Sequence, residues 1–527
     1  MASDRSRVGR SRLVGLSVVV FAVFFRGPHF AGVRAGEESP TGPERFSLLV
    51  EALDAGSRDR AGVLVRIDGE LRGPEAAEMR AALLDGFATG GLLIQLGAAE
   101  ALARYADPRD LPLFRSVIES SDRLAVKVAA IRFLPAFILG NSERARFAYI
   151  RNVASDDVRR DESAVEPLSR PPLTRRGRLD MELAGLRRQV SSIVIGQFDP
   201  VGSAIASIDD PRFGLTAGNS VRGQVGAALG VDPGRWREIW DSHSTDMQFS
   251  RPEEIEEVVT TALGVLGDLG LPADASVFPG LDFLFRLENP LVAHAALESL
   301  RAMCLSATRT IGAFLDGAYG SDWTEAESGW LRGREDLAAE LWLFTARHGA
   351  KLLDSPDPAL AHAAVLAVGA AIGFSPRVAA RRADLRDMSA MAVEKLESMA
   401  LLAGLGVGLR CDVLRALGRS GSRPALAAVL EIMGSAYAGS GRDGLAVAEA
   451  GVAALAEMAN GDDESGEAAR AALLGLLSDA REYPAGNSTA PPVMMGHIVL
   501  WRLQRIAKSG EITFDAGFWR RRLGWDG

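Results

Sequence analysis

Residues 289–300 read NPLVAHAALESL, and residues 357–368 read DPALAHAAVLAV. The two stretches align without a gap at an offset of 68: Pro290 with Pro358, His294 with His362, Ala295-Ala296 with Ala363-Ala364, and Leu300 with Val368. Each opens on an Asx-Pro pair. Proline suits a helix start because the first turn leaves that N–H without an intrahelical partner in any case. Each stretch then carries small residues with aliphatic ones around them at helical spacing. Small residues let helix axes approach closely, so the pattern predicts helices stacked on helices, with the offset read as about two repeat units.

A second echo lies upstream. Ala98-Ala99 and Ala129-Ala130 are 31 residues apart, and Leu102 matches Phe133 at the same offset. Between them Asp107-Pro108 breaks one helix, and Leu111, Phe114, Val117 and Ile118 give the next an apolar face. Ser121-Asp122 then supplies an N-cap for a third. Weaker copies place Val413 and Leu417, then Gly451 and Leu455, in the same frame. Strand-like alternation is nearly absent, and VLVRIDG at 63–69 suits either a short strand or a helix end.

On these residues the chain resembles the HEAT-repeat family, over 92–153 and 288–480. The resemblance implies an all-α fold: a right-handed α-α superhelix (HEAT-like α-solenoid) with irregular repeats and long loops. It also implies use as a binding scaffold, although HEAT-like repeats occur in a few lyases as well.

The composition agrees with a folded protein. Of 527 residues, 47% are hydrophobic and 24% charged, with a net charge of -9. The length allows about three domains or one repeat array. Two cysteines exclude a disulfide-stapled scaffold or a zinc ribbon. Cys304 and Cys411 sit among apolar residues and read as buried small hydrophobes; a disulfide between them would need a proximity that the sequence does not supply. The acidic balance argues against nucleic acid as a partner and favours a basic protein or peptide.

The N-terminus reads as a targeting segment. Arg5, Arg7, Arg10 and Arg12 precede an uncharged run of 13 residues, Leu13 to Phe25. A membrane-spanning helix needs roughly 17–25 residues, so the run suits a signal peptide better than an anchor. Val33 to Ala35 offers a cleavage site that would leave Gly36 as the new terminus, although Arg26, His29 and Arg34 make the intervening segment long and basic. An uncleaved anchor is the alternative. Cleavage would remove a charge of +5 and leave -14.

Composition divides the chain further. Residues 1–35 are the signal peptide or anchor, 36–153 an N-terminal HEAT-like block, and 154–179 a charged, Pro-rich linker or insertion. Residues 180–250 form an irregular helical segment, 251–480 the repeat array, and 481–527 a C-terminal helix with a Trp- and Arg-rich tail.

Chemical motifs mostly fail. Gly404, Gly406 and Gly408 have the wrong spacing for a dinucleotide loop, and Gly418 to Gly421 is one residue too short for a nucleophile elbow. His294 and His362 are equivalent positions of two repeats, which is not the clustering of a metal site. No catalytic residue, cofactor or metal site is expected.

One constellation stands apart. VDPGRWREIWDSH, 231–243, places Trp236 and Trp240 on one helix face among Arg235, Arg237 and Asp241. FDAGFWRRRLGWDG, 514–527, echoes it with Trp519, Arg520 and Arg521. Tryptophans of this kind either bury their rings at the end of a helical layer or form an exposed Trp and Arg binding surface. Within the binding reading, the Arg520-Arg521-Arg522 triplet beside Trp519 is the better exposed candidate, because chain ends are seldom buried.

The sequence thus predicts an exported, non-catalytic scaffold for a protein or peptide partner, in the periplasm or outside the cell. One alternative is a membrane-tethered structural protein that keeps residues 13–25. The other is a lyase-type or other enzyme on the same array, which would require a pocket joining Trp236, Asp241 and His243 to a further acid.

Overall fold

The computed structural model describes residues 42–54, 57–139, 146, 148–150, 183–197, 252–287, 289–315, 325–374, 382–402, 405–434, 442–461, 463–483 and 492–525. The chain forms two compact units, residues 1–170 and 171–527.

In the first unit six helices alternate between two layers: α1 (Gly42–Glu51), α2 (Ser57–Leu71), α3 (Ala76–Thr89), α4 (Leu92–Arg104), α5 (Leu111–Ser120) and α6 (Leu124–Phe133). Helices α1, α3 and α5 touch in succession, as do α2, α4 and α6. VLVRIDG belongs to α2, so the helical alternative holds there. Ala98 and Ala99 on α4 and Ala130 on α6 are buried where those helices meet, and Leu102 and Phe133 are buried in their equivalent places. Phe87, Phe114 and Phe137 stack in succession, with centroids 4.7 and 5.0 Å apart. The N-cap of α6 is Arg123; Ser121 only accepts its amide at 3.2 Å.

The second unit continues the design at greater length. After α7 (Ala184–Ile195) come six helix pairs: α8 (Pro252–Leu269) with α9 (Val277–Phe285), α10 (Pro290–Leu315) with α11 (Glu325–Leu352), and α12 (Pro358–Ile372) with α13 (Ala383–Ala400). Then follow α14 (Val407–Ser420) with α15 (Arg423–Gly434), α16 (Arg442–Met458) with α17 (Glu464–Leu476), and α18 (Met495–Ala507) with α19 (Ala516–Arg522). A two-residue strand pair, β1 (Glu482–Tyr483) and β2 (Val493–Met494), leads into α18. The first members of the pairs, α8, α10, α12, α14, α16 and α18, pack each on the next. The second members do the same from α11 to α19. This two-layer succession of α-hairpins is the HEAT-like α-solenoid arrangement.

The repeated motif explains the helix starts. Asp357 Oδ1 accepts from the amides of Ala359 and Leu360 at 2.9 and 3.4 Å, and Asn289 Oδ1 accepts from Val292 N at 3.0 Å. Pro290 and Pro358 occupy the first helical positions, where they cost no hydrogen bond. One expectation is corrected. The offset of 68 spans a single repeat, because the helices that carry the two copies, α10 and α12, are adjacent in their layer. Helix α11 alone runs to 28 residues, so this repeat is about twice the usual length.

Small residues set the spacing of the first layer. A Cβ on Gly369 of α12 would lie 2.6 Å from Ala416 Cβ of α14, and one on Gly418 of α14 would lie 2.7 Å from Ala454 Cα of α16. Upstream, a Cβ on Gly267 of α8 would approach Ser299 Cα of α10 to 3.2 Å. At Gly369 and Gly418 only hydrogen fits, whereas at Gly267 a methyl would need its neighbours to give by a few tenths of an ångström.

Helix ends are closed by cations from neighbouring helices. Arg410 donates to the carbonyls of Ala400 and Leu402, Lys395 to Ala350, Arg470 to Ala459 and Gly461, and Arg334 to Leu271. A positive charge there satisfies orphan carbonyls and opposes the negative end of the helix dipole.

Both cysteines are buried and free. Cys304 Sγ lies 3.3 Å from Thr345 Oγ1, and burial pushes its thiol pKa up to about 12. Among the described residues no helix is long and apolar enough to cross a membrane. Residues 13–25 lie outside them.

Candidate functional site

Helix α18 is the last of its layer. Met495, Ile498, Val499, Leu500 and Leu503 are buried, and α16, α17 and β2 pack against the helix. His497, Trp501 and Arg505 follow at intervals of four, so they share another face. Trp501 is 51% exposed.

The chain then doubles back along α18. Lys508 takes a left-handed conformation (φ 48°), and Ser509 N donates to Gln504 O at 3.0 Å, a helix-terminating pattern. The returning strap, residues 509–515, is pinned twice. Gln504 Nε2 donates to Glu511 O at 2.8 Å, and the Trp519 indole donates to Thr513 O at 2.7 Å. Asp515 ends the strap by capping α19 through Gly517 N at 2.8 Å.

This path brings Phe514 onto the start of α18. Its ring centroid lies 5.4 Å from that of His497, which in turn stacks on Trp501 at 6.4 Å and 19°. A Cβ on Gly496 would meet Phe514 Cε1 at 3.4 Å and Leu477 O at 2.5 Å, so glycine lets both the strap and the preceding helix end come close. Phe514 is 43% exposed and Ile512 79%. Ile512 lies between the two attachment points of the strap, Glu511 and Thr513. The result is a rigidly mounted apolar and aromatic cluster open to solvent. Such rings can give up much apolar area on contact with little further loss of side-chain freedom.

The residues singled out from sequence fare differently. Arg235, Trp236, Arg237, Trp240 and Asp241 lie outside the described residues, as does His243. Arg520 and Arg521 are exposed. Trp519 is fully buried, the first of the two alternatives for such a ring. Its indole holds the strap from beneath, and α19 lies against α17. Among the described residues the exposed tryptophan is Trp501, which the sequence reading places only within the last helix. The available signal was its place four residues after His497, on the polar side of MMGHIVLWRLQRIA.

His362 Nε2 sits 2.7 Å from Asp412 Oδ2, and Asp412 Oδ1 accepts from Arg415 at 2.6 Å. The neighbouring Cys411 is buried, and desolvation raises its thiol pKa above the ordinary value, which disfavours a thiolate nucleophile. His348 packs against both Phe285 and Phe344, at centroid distances of 4.7 and 4.3 Å. Desolvation there, helped by Lys351, lowers its pKa to about 4. Among the described residues no three His, Cys, Asp or Glu side chains gather to hold a metal ion.

The chain matches no family model and no curated protein. Solved structures similar to it include Kap121p, at 14% identity and a TM-score of 0.28 over 82% of this chain and 47% of that one. The karyopherin Kap121p bound to the extreme C-terminus of the phosphatase Cdc14p gives 15% and 0.28, over 82% and 48%. An engineered protein gives 15% and 0.25, over 85% and 99%. The chain spans about half the length of the Kap121p chains it matches. At these TM-scores the likeness assigns neither residues nor partners, and the solenoid arrangement stands on the helix contacts within each unit.

Proposed function

We propose that the chain is an exported, non-catalytic HEAT-like scaffold that binds a protein partner, with Trp501, Ile512 and Phe514 at the centre of the contact. What supports this is the exposure of Ile512 and Phe514 on a pinned strap and of Trp501 on the packed helix along which it returns. Clustered exposed apolar surface of this kind marks interaction sites, and tryptophan is enriched among the residues that dominate binding energy. Export is supported by the basic start, the 13-residue apolar run and the Val33 to Ala35 site.

Affinity capture from a cell-envelope extract tests the contact, with the full chain and its Trp501→Ala, Phe514→Ala double variant as parallel baits. A protein retained by the first and lost from the second supports the reading. Identical capture by both baits overturns it. N-terminal sequencing tests export: Gly36 is the expected first residue, whereas Met1 or Ala2 in the membrane fraction would instead establish the anchored form.

A further inference from the structure

The net charge of the chain is -9, which by itself favours a basic partner, yet the charge around the ring cluster has the opposite sign. Residues 495–525 carry six cations, Arg502, Arg505, Lys508, Arg520, Arg521 and Arg522, against two carboxylates, Glu511 and Asp515. Asp515 is engaged in capping α19. Arg505, Lys508 and the three consecutive arginines are exposed, and among the described residues none of these five is ion-paired. The Trp519 bond to Thr513 O ties the arginines of α19 to the strap, while Arg505 follows Trp501 by one turn on α18 and Lys508 caps that helix.

Screening makes this local excess decisive. At physiological salt, fields between exposed charges fade over roughly 8 Å, so a docked segment responds to the cations beside it and hardly to carboxylates on distant helices. We propose that the Trp501, Ile512 and Phe514 cluster receives an acidic protein segment that contributes at least one large aliphatic or aromatic side chain. The apolar side chain covers the rings, and the acidic residues pair with Arg505, Lys508 and the arginines of α19. This inference rests on the reading of the cluster as a protein contact and names the chemistry of what it binds.

The test uses the full chain and two dye-labelled synthetic peptides with identical Leu and Phe positions, one otherwise rich in Asp and Glu, the other in Lys. Fluorescence anisotropy is expected to report binding of the acidic peptide alone, weakening as salt is raised. Trp501→Ala and the Arg505→Glu, Lys508→Glu pair should each weaken it by about tenfold or more. Leu430→Ala, at an exposed apolar residue on α15, should leave it unchanged. Unchanged thermal unfolding of each variant shows that the loss is local. Failure of the acidic peptide to bind, equal binding of the two peptides, or binding indifferent to Trp501 overturns the inference. So does tighter association with anionic phosphatidylglycerol vesicles than with the acidic peptide. A basic protein captured from the envelope through Trp501 would sink this inference while leaving the scaffold reading intact.

Discussion

The guanidinium of Arg410 closes the end of the preceding helix: its Nε donates to Ala400 O at 3.0 Å, and its Nη2 reaches Leu402 O at 2.9 Å. Arg410 is 4% exposed although it carries a full charge. Carbonyls at a helix C-terminus are among the few partners that can hold such a charge away from water, because the helix presents them as unpaired acceptors.

Arg410→Ala is therefore expected to lower stability by about 2–3 kcal/mol, since it strands buried acceptors. Arg410→Lys should recover only part of that, because an ammonium lacks the planar fork that spans two carbonyls. Chemical denaturation of the three proteins measures the order. Equal midpoints for wild type and Arg410→Ala would show that the closure carries no stability.

The glycine crossings give a sharper contrast. Gly418→Ala places a methyl against the backbone of Ala454, so α14 and α16 must part, at a cost of about 1–3 kcal/mol. Gly333→Ala, in the exposed middle of α11 where a Cβ meets nothing within 4 Å, should stabilise by about 0.5–1 kcal/mol. Thermal unfolding should move in opposite directions for these two chemically identical changes.

His348 makes stability depend on pH. Its folded-state pKa is about 4, against an ordinary 6.5, because the ring is desolvated against Phe285 and Phe344. Between those values the unfolded chain binds a proton that the folded chain refuses, so stability falls as pH falls from 6.5 toward 4. The full contribution of this group is about 3 kcal/mol. His348→Phe keeps the ring stack and removes the proton. Its advantage over wild type should grow across that window in acid-titrated denaturation, and a constant difference would refute the assignment.

Trp519 and Trp501 separate packing from binding. Trp519→Ala should cost about 3–5 kcal/mol, as buried Trp→Ala changes do, and loosen the strap. Limited proteolysis of residues 509–515 would register the loosening. Trp501→Ala should change stability by less than about 0.5 kcal/mol, because its ring is half in solvent. A large loss of stability from Trp501→Ala would mean that the ring serves the core.

Much of the array was legible before any coordinates. The Asx-Pro starts at Asn289 and Asp357, the Ala-Ala pairs and the Asp107-Pro108 break act over a few residues, and each behaves in the structure as its local chemistry requires. The repeat length was misjudged because the sequence between the two copies holds one unusually long helix, and periodicity cannot tell one long helix from two short ones. Which of the two C-terminal tryptophans meets solvent was not legible for a related reason. Trp519 and Trp501 both sit near arginines close to the chain end, and nothing local distinguishes the one beneath the strap from the one beside it.

The sequence alone determined that this chain is helical, where several helices begin, and that small residues would sit where helices cross, since these depend on backbone sterics and neighbours a few positions away. Only the tertiary structure decided which glycine faces which backbone, which carbonyls each arginine closes, and which tryptophan meets solvent. Those outcomes depend on residues remote in the chain that fold back to cover or uncover a side chain. Trp519 lies beneath the strap, its indole bonded to Thr513 O, while Trp501 keeps half its surface in solvent.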